Sequence, residues 1–301
     1  MTETTLSMKL DDEITIRRAE SVADYRACQD AQRRAWGVTD DGYLVPVATM
    51  VGANLHGGLV LGAFLPSGEA VAMSFAFLGR IAGRLCLYSQ LTGVVPGYQS
   101  RGLGYQIKLL QRDFARAEAI GVVAWAFDPL QAGNAHFNLA RLGASAGRYI
   151  DNLYGERTDA LNAGVPTDRL IAEWDTTADS TVAIPIPSDV VSRSPRLIKT
   201  GTRPTGESEP DGTPVPIGIE PVIGATRVLL EVPADIARLR RRQPELAEQW
   251  RAAVRLAFRT AFDAGYRAVH FLRDDTDRQR RGFYVLERRE SDPLHHPEKT
   301  V

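Results

Sequence analysis

The chain has 301 residues, 44% hydrophobic and 24% charged, with a formal net charge of −1. This is enough chain for one large domain or two ordinary ones, in the composition of a soluble globular protein. A near-neutral balance gives no whole-chain argument for nucleic acid or an anionic membrane surface as a partner, so neither is expected. Cys28 and Cys86 are the only cysteines and sit in apolar patterns, which reads as two buried, reduced thiols. The histidines form no zinc-like spacing, and no metal is expected. The first residues carry no basic stretch, and no run of about eighteen apolar residues occurs, so the expected location is the cytoplasm.

In chain order, Glu13 to Arg17 alternates like a strand. Ser21 can cap a helix through Trp36, with Asp24 in its first turn, and a second helical stretch covers Val47 to Leu55. Gly58 to Leu65, Glu69 to Leu78 and Leu85 to Val95 are apolar runs separated by Pro66-Ser67-Gly68 and a glycine-rich turn, which predicts an antiparallel meander. A helix follows from Leu103 to Ala119. Its stripe is Leu103, Ile107, Leu110, Phe114 and Ala117, and Gly121 is expected to close it. Val122 to Phe127 is a buried strand, so the helix would cross over between two parallel neighbours. Eight of the 17 prolines fall between Pro185 and Pro221, which predicts an extended linker poor in regular structure. From Arg227 a strand, a long helix starting at Pro244 and closed by Gly265, and strands at Ala268 to Leu272 and Gly282 to Leu286 form a β-α-β region, followed by a tail. The expected division is 1–178, a linker at 179–226, and 227–301.

The segment that carries chemistry is Val94-Val95-Pro96-Gly97-Tyr98-Gln99-Ser100-Arg101-Gly102-Leu103-Gly104. Proline stops strand pairing, and glycines let the backbone approach a ligand. The first turn of the helix then presents unpaired N–H groups and the positive end of its dipole. Together these features favour an anion such as a pyrophosphate. No Gly-Lys-Ser/Thr follows, so the loop is not a Walker A motif. Nor do an antiparallel meander and this glycine pattern make a Rossmann fingerprint.

The string Gln99-x-x-Gly102-x-Gly104, placed after a meander strand and Val-x-Pro, resembles the acetyl-CoA signature of the GNAT N-acetyltransferase superfamily, R/Q-x-x-G-x-G/A. The resemblance covers residues 13 to about 175. It implies a mixed α/β (α+β) GNAT fold, in which a central parallel strand pair splays to seat CoA. It assigns Val94, Val95, Gln99, Ser100, Arg101, Gly102, Leu103 and Gly104 to the cofactor. Asn134 and Phe137 join them from the segment Asn134 to Arg141, which resembles the family's next helix; Asn134 could equally be an N-cap. One departure stands out. Leu139 occupies the position where many members carry a tyrosine that protonates the departing thiolate, leaving Tyr149, Tyr154 or solvent for that role.

N-acylation needs a base for the amine and a donor for the thioester carbonyl. Placement in the family points to Tyr88, Ser89, Gln90, Thr92 and Asp128. Asp128 is the carboxylate among them, although Asp-Pro also forms turns. Tyr88 could instead be a half-buried strand residue. Catalytic candidates are therefore Asp128, Tyr88 and Tyr149, and Gln90 and His56 are candidates for the acceptor side. His136, on the short helix, and His56 could each be structural. The C-terminal region is expected to be either a degenerate half of the same fold or an unrelated appendage. Its basic run Arg238 to Arg242 is most simply a solvated face. The implied activity is acyl transfer, acetyl or succinyl, from acyl-CoA to the amine of a small molecule, with an amino acid as one candidate acceptor class. The competing expectation is a CoA-binding regulatory protein without chemistry. An acyl group larger than acetyl would need a cation, for which Arg84, Arg141 and Arg148 are candidates by position. The superfamily often forms homodimers, and the resemblance allows one here.

Overall fold

The structure is a computed structural model that describes residues 6–10, 13–155, 164–177, 186, 189–201, 214–221, 224–274 and 281–288. The expected tail beyond 288 and much of the proline-rich stretch lie outside the described residues. The fold is mixed α/β with mostly antiparallel strands. It divides into two compact units, one of residues 1–125, 156–165 and 175–178, the other of 126–155, 166–174 and 179–301. These bounds differ from the expected breaks at 178 and 226. Among the described residues no helix is long and apolar enough to cross a membrane.

In the first unit, β1 (Ser7–Lys9) and β2 (Thr15–Arg18) precede helix α1 (Val22–Trp36), a 3-10 turn (Asp41–Tyr43) and helix α2 (Val47–Leu55). The meander follows as β3 (Leu59–Phe64), β4 (Ala70–Ile81) and β5 (Arg84–Val94), then helix α3 (Leu103–Ala117) and β6 (Val122–Phe127), whose last two residues fall in the second unit. The strands run in order β1-β2-β3-β4-β5-β6, antiparallel up to β5 and parallel between β5 and β6. β3 is buried at every position, as expected of a strand covered on both faces.

Ser21 caps α1 in a full capping box with Asp24, which satisfies two orphan donors at once. Asp24 also accepts both Arg17 nitrogens, at 2.9 and 2.7 Å. That ion pair, followed by main-chain N–H donors, holds the carboxyl well below its usual range despite burial. Because the folded pKa is depressed, this contribution is present above pH about 4 and lost as pH falls through the folded value. Asp24→Asn is therefore expected to lower stability at neutral pH by about 1–3 kcal/mol, with the deficit shrinking in acid, as urea denaturation at several pH values would show.

One core cluster gathers Tyr25, Cys28 and Ala31 of α1, Met50 of α2, and Val60, Met73 and Phe75 of β3 and β4. Asn54 is buried in it, donating to the Ala19 carbonyl and the Tyr25 hydroxyl and accepting from Val60 N–H. Both cysteines are buried, and neither is in a disulfide. The sheet also has room reserved for one ring: a Cβ added at Gly93 would overlap Trp36. Gly93→Ala is accordingly expected to destabilise by about 1–3 kcal/mol through overpacking, measurable as a lower denaturation midpoint.

The end of α3 differs from expectation. The helix stops at Ala117, and Ala119, not Gly121, takes the left-handed conformation at φ 54°. The closing bonds run from Ala119 N–H to Arg116 and from Ile120 N–H to Ala115. They turn Ile120 inward, where it is 3% exposed, and its burial offsets the strain of a non-glycine residue there.

The second unit begins with α4 (Ala132–Ala135), continued by a π turn (His136–Arg141), and β7 (Ser145–Ile150) and β8 (Arg169–Asp175). Within the proline-rich stretch lie α5 (Val190–Arg193) and β9 (Ile198–Gly201) with β10 (Val215–Ile219), which pair antiparallel. The expectation of little regular structure there therefore fails for its described residues. Pro216 occupies a strand of only two partners' width, where its missing donor is tolerated. β11 (Arg227–Pro233), α6 (Ile236–Arg242), α7 (Pro244–Asp263), β12 (Tyr266–Asp274) and β13 (Arg281–Arg288) complete the unit. Its strands run β8-β7-β12-β13-β11, with antiparallel neighbours. Gly265 (φ 83°) closes α7 as expected. β13 stands between β11 and β12, so the strand–helix–strand order of this region forms no adjacent parallel pair.

Candidate functional site

β5 and β6 register at Leu87 with Val123 and at Tyr88 with Ala124. Beyond these pairs β5 runs on to Val94 and β6 through Trp125, so the strands open as a V. A bulge helps. Phe75 pairs with Leu91 and Ala76 with Ser89, leaving Gln90 as the extra residue, a device that bends a strand and interrupts its pairing. The bulge also keeps the faces in step. Leu91 packs on the α1 and α2 core, while Ser89 and Thr92 have their hydroxyls 3.4 Å apart and Ser89 meets side chains of α3.

The mouth of the V is the loop from Val95 to Gly102. Val95 N–H bonds the Val71 carbonyl at 2.9 Å, the Tyr98 N–H returns to Val95 at 3.0 Å, and the Gln99 amide reaches the Val94 carbonyl at 3.3 Å. Gly97, Ser100 and Gly102 have φ values of 92°, 65° and 81°. The left-handed Ser100 and Gly102 on either side of Arg101 have the alternation of an anion nest, in which successive N–H groups turn toward one point. Gly102 is the N-cap of α3, and no side chain caps the helix, unlike α1. A Cβ at Gly102 or Gly104 would meet nothing within 4 Å, so the space over the helix start is open. Arg101 lies over the Tyr98 ring at 5.2 Å. Leu103 is buried and anchors the first turn. The arrangement can hold a phosphate against the free N–H groups of α3 and an extended chain in the V. Ser89 to Val94 spans about 17 Å of strand.

At the closed end of the V lies a group that the sequence pattern did not single out. Lys108 of α3 is 4% exposed. Its Nζ donates to Ser89 Oγ at 2.9 Å and sits 3.9 Å from the centre of the Trp125 ring. Gln111 also donates to Ser89 Oγ, at 3.0 Å. Burial alone pushes the Lys108 ammonium down to about 7 from its ordinary 10.5. The unfolded chain thus binds more protons between those values, and the charge penalty is fully present below about 7 and fades toward 10.5. Lys108→Met is expected to be more stable than the parent at neutral pH and below, with the gain vanishing as pH rises. Urea midpoints across that range would check the trend.

The other first-unit candidates spread out. Tyr88 sets its ring against Phe77, tilted and with centres 5.5 Å apart, as a half-buried strand residue does. His56 is an exposed C-cap of α2.

In the second unit Asp128 accepts from Leu130 N–H at 2.9 Å and from Arg251 at 3.2 Å. That is the turn-forming arrangement, with an ion pair added. Tyr149 donates its hydroxyl to Asp168 at 2.7 Å, and burial first, then that bond, raises its pKa far above the usual value. Asp168 is fully buried and bound twice by Arg255, at 2.9 Å. Arg259 completes the series with Asp151 at 2.6 Å. Three arginines, one per turn of α7, therefore clasp three carboxylates. Asn134 is not the N-cap of α4, a place held by Gln131; it is exposed, and Phe137 is half-buried in the π turn. Leu139 is fully buried. Arg241 and Arg242 are exposed on α6, in keeping with a solvated face.

No family model and no curated protein matches the chain. Among solved structures, the ribosomal-protein-S18-alanine N-acetyltransferase of Escherichia coli aligns at 16% identity and a TM-score of 0.43, over 56% of this chain and 96% of its own. A Salmonella typhimurium chain assigned as an acetyltransferase, solved with acetyl-CoA, aligns at 18% and 0.44, over 57% and 100%. An N-acetyltransferase from Staphylococcus aureus aligns at 12% and 0.44, over 55% and 100%. The likeness is one of backbone path over little more than half of this chain.

Proposed function

We propose that the chain is a GNAT-type acyltransferase that moves an acetyl or succinyl group from acyl-CoA to the amine of a small molecule, with an amino acid as the favoured acceptor class. The observation that carries this reading is the parallel β5–β6 pair that opens after two registered positions, with an uncapped helix start at its mouth. The N–H groups from Ser100 to Gly104 would hold the pyrophosphate, and the main chain of β5 up to Val94 would bind the pantetheine amides. β5 runs past its last pair with β6 at Tyr88, and a strand edge of that kind would suit an extended, amide-bearing arm.

In the reaction the neutral amine attacks the thioester carbon, the N–C bond forms, the C–S bond breaks, and the electron pair leaves on sulfur. Main-chain N–H groups at the splay would stabilise the oxyanion. Gln90, displaced by the bulge, is the β5 side chain best placed by sequence to meet the acceptor. The partners of Asp128 and Tyr149 suit scaffolding of the second unit better than proton transfer: Asp128 already has a cation, and the Tyr149 hydroxyl is engaged in a hydrogen bond to Asp168. The test is thiol release by the full chain from acetyl-CoA and succinyl-CoA in turn, against a panel of amino acids and small amines. Turnover names both substrates. Heat protection by CoA with no turnover on a broad panel would favour a CoA-binding protein without chemistry.

A further inference from the structure

Acyl transfer ends with a thiolate that must be protonated or stabilised, and the residue at the usual tyrosine position is Leu139, which has no proton to give. The closed end of the V offers one. Ser89 is the first β5 residue past the last registered pair, and Trp125 is the first β6 residue past it. Lys108 Nζ touches both, so it lies at the apex where the strands part.

The hydrogen-bond inventory of Ser89 gives a direction. A hydroxyl has one proton and two acceptor lone pairs. Lys108 and Gln111 both donate to Ser89 Oγ, so its acceptor sites are filled and its own proton points elsewhere. Thr92 Oγ1, at 3.4 Å, is a weak taker. A thiolate seated in the V would be a stronger one.

We propose that Ser89, backed by Lys108, donates the proton that the departing CoA thiolate takes up. This rests on the acyl-CoA reading of the V given above. As the C–S bond breaks, the Ser89 O–H proton passes to sulfur and a Lys108 N–H proton passes to Ser89 Oγ. CoA leaves as the thiol, Lys108 is left as a neutral amine, and the proton shed by the acylated nitrogen restores the ammonium by way of solvent. Ser89 is the catalytic residue of the pair. Lys108 is a positioning residue that acts through it.

The burial of Lys108 suits the task, because an ammonium near 7 is a stronger acid than an ordinary thiol, at about 8.5. The elements packed on this face bring few other charges. β3 contributes none, and the α3-facing side chains of β5 are hydroxyls and aliphatics. Arg112 on α3 is buried nearby, and Arg18 of β2 lies against Phe114. Desolvation alone accounts for the Lys108 shift.

The experiment uses the full chain, acetyl-CoA and hydroxylamine, a small and weakly basic nucleophile, with every rate taken at saturating concentration of its neutral form so that its own titration does not mask that of the enzyme. The expected result is a kcat that falls as pH rises through about 7. Lys108→Met and Ser89→Ala should each lower kcat by about 10²-fold or more at the acid end, flatten the profile and leave the KM for acetyl-CoA unchanged. Ser89→Ala keeps the buried lysine, and Lys108→Met keeps the serine, so a folding defect in one would not mimic the shared loss. Turnover with the same rate and pH profile in all three proteins overturns the relay and leaves the acyl-CoA reading intact. Heat protection by CoA with no hydroxylamine turnover also overturns the relay. Absence of CoA protection in the parent chain overturns the acyl-CoA reading itself, and the relay with it.

Discussion

Gly102→Glu is expected to leave a folded protein that CoA no longer protects against heat. A Cβ at this position meets nothing within 4 Å, so the side chain fits. The φ of 81° costs a non-glycine residue about 1–2 kcal/mol, a loss the fold can absorb. The ligand effect is larger. A glutamate over the start of α3 puts a negative charge where a pyrophosphate would sit and offers the free N–H groups an internal partner. At a hundredfold excess over Kd, a ligand adds about 2.7 kcal/mol to the stability of the protein that binds it. The variant should lose all of that increment. Gly102→Ala carries the same backbone strain without the charge and should retain most of the CoA shift. Scanning calorimetry of the three proteins, with and without CoA, separates strain from site. A Glu variant still protected like its parent would remove α3 from the site.

Arg255→Met should have the largest effect on stability, and its effect should be confined to the second unit. Asp168 is fully buried, and Arg255 supplies two hydrogen bonds and its counter-charge. Removing the cation leaves a carboxylate that has, among the described residues, the Tyr149 hydroxyl and the Asn152 N–H as donors. Stranding one member of such a pair costs about 3–5 kcal/mol. Removing both, as in Asp168→Leu with Arg255→Met, should recover part of the loss, since paired apolar replacements are often neutral. Denaturation of the single and double variants measures the coupling. An Arg255→Met protein as stable as its parent would mean that the clasp along α7 contributes nothing.

Much of the first unit was legible in the sequence because its signals are local. Ser21 and Asp24 form the cap that their spacing announces, and the meander turns fall at the glycines. The Gln99 to Gly104 string lies where a strand gives way to a helix, with the glycine at the cap position. What stayed hidden depends on partners distant in sequence. Asp128 forms the Asp-Pro turn that its sequence offered, but its cation stayed hidden because Arg251 is 123 positions away. Tyr149 looked available for acid chemistry because nothing nearby in sequence signals Asp168. Lys108 sits beside the apolar stripe of α3, where a lysine is normally solvated. Only the approach of Ser89 and Trp125 shows that it is enclosed. Lys108 and Gln111, three apart and so on one face, were the available hint. The proline-rich stretch misled for another reason: prolines weaken a strand without forbidding one at an edge or in a two-stranded ribbon.

The central claim is that the open end of the β5–β6 V and the start of α3 form a CoA site. Isothermal titration of the full chain with acetyl-CoA tests it most directly. Saturable binding, abolished in Gly102→Glu and retained in Gly102→Ala, is the predicted result. No binding by the parent chain, or equal binding by the Glu variant, would contradict it.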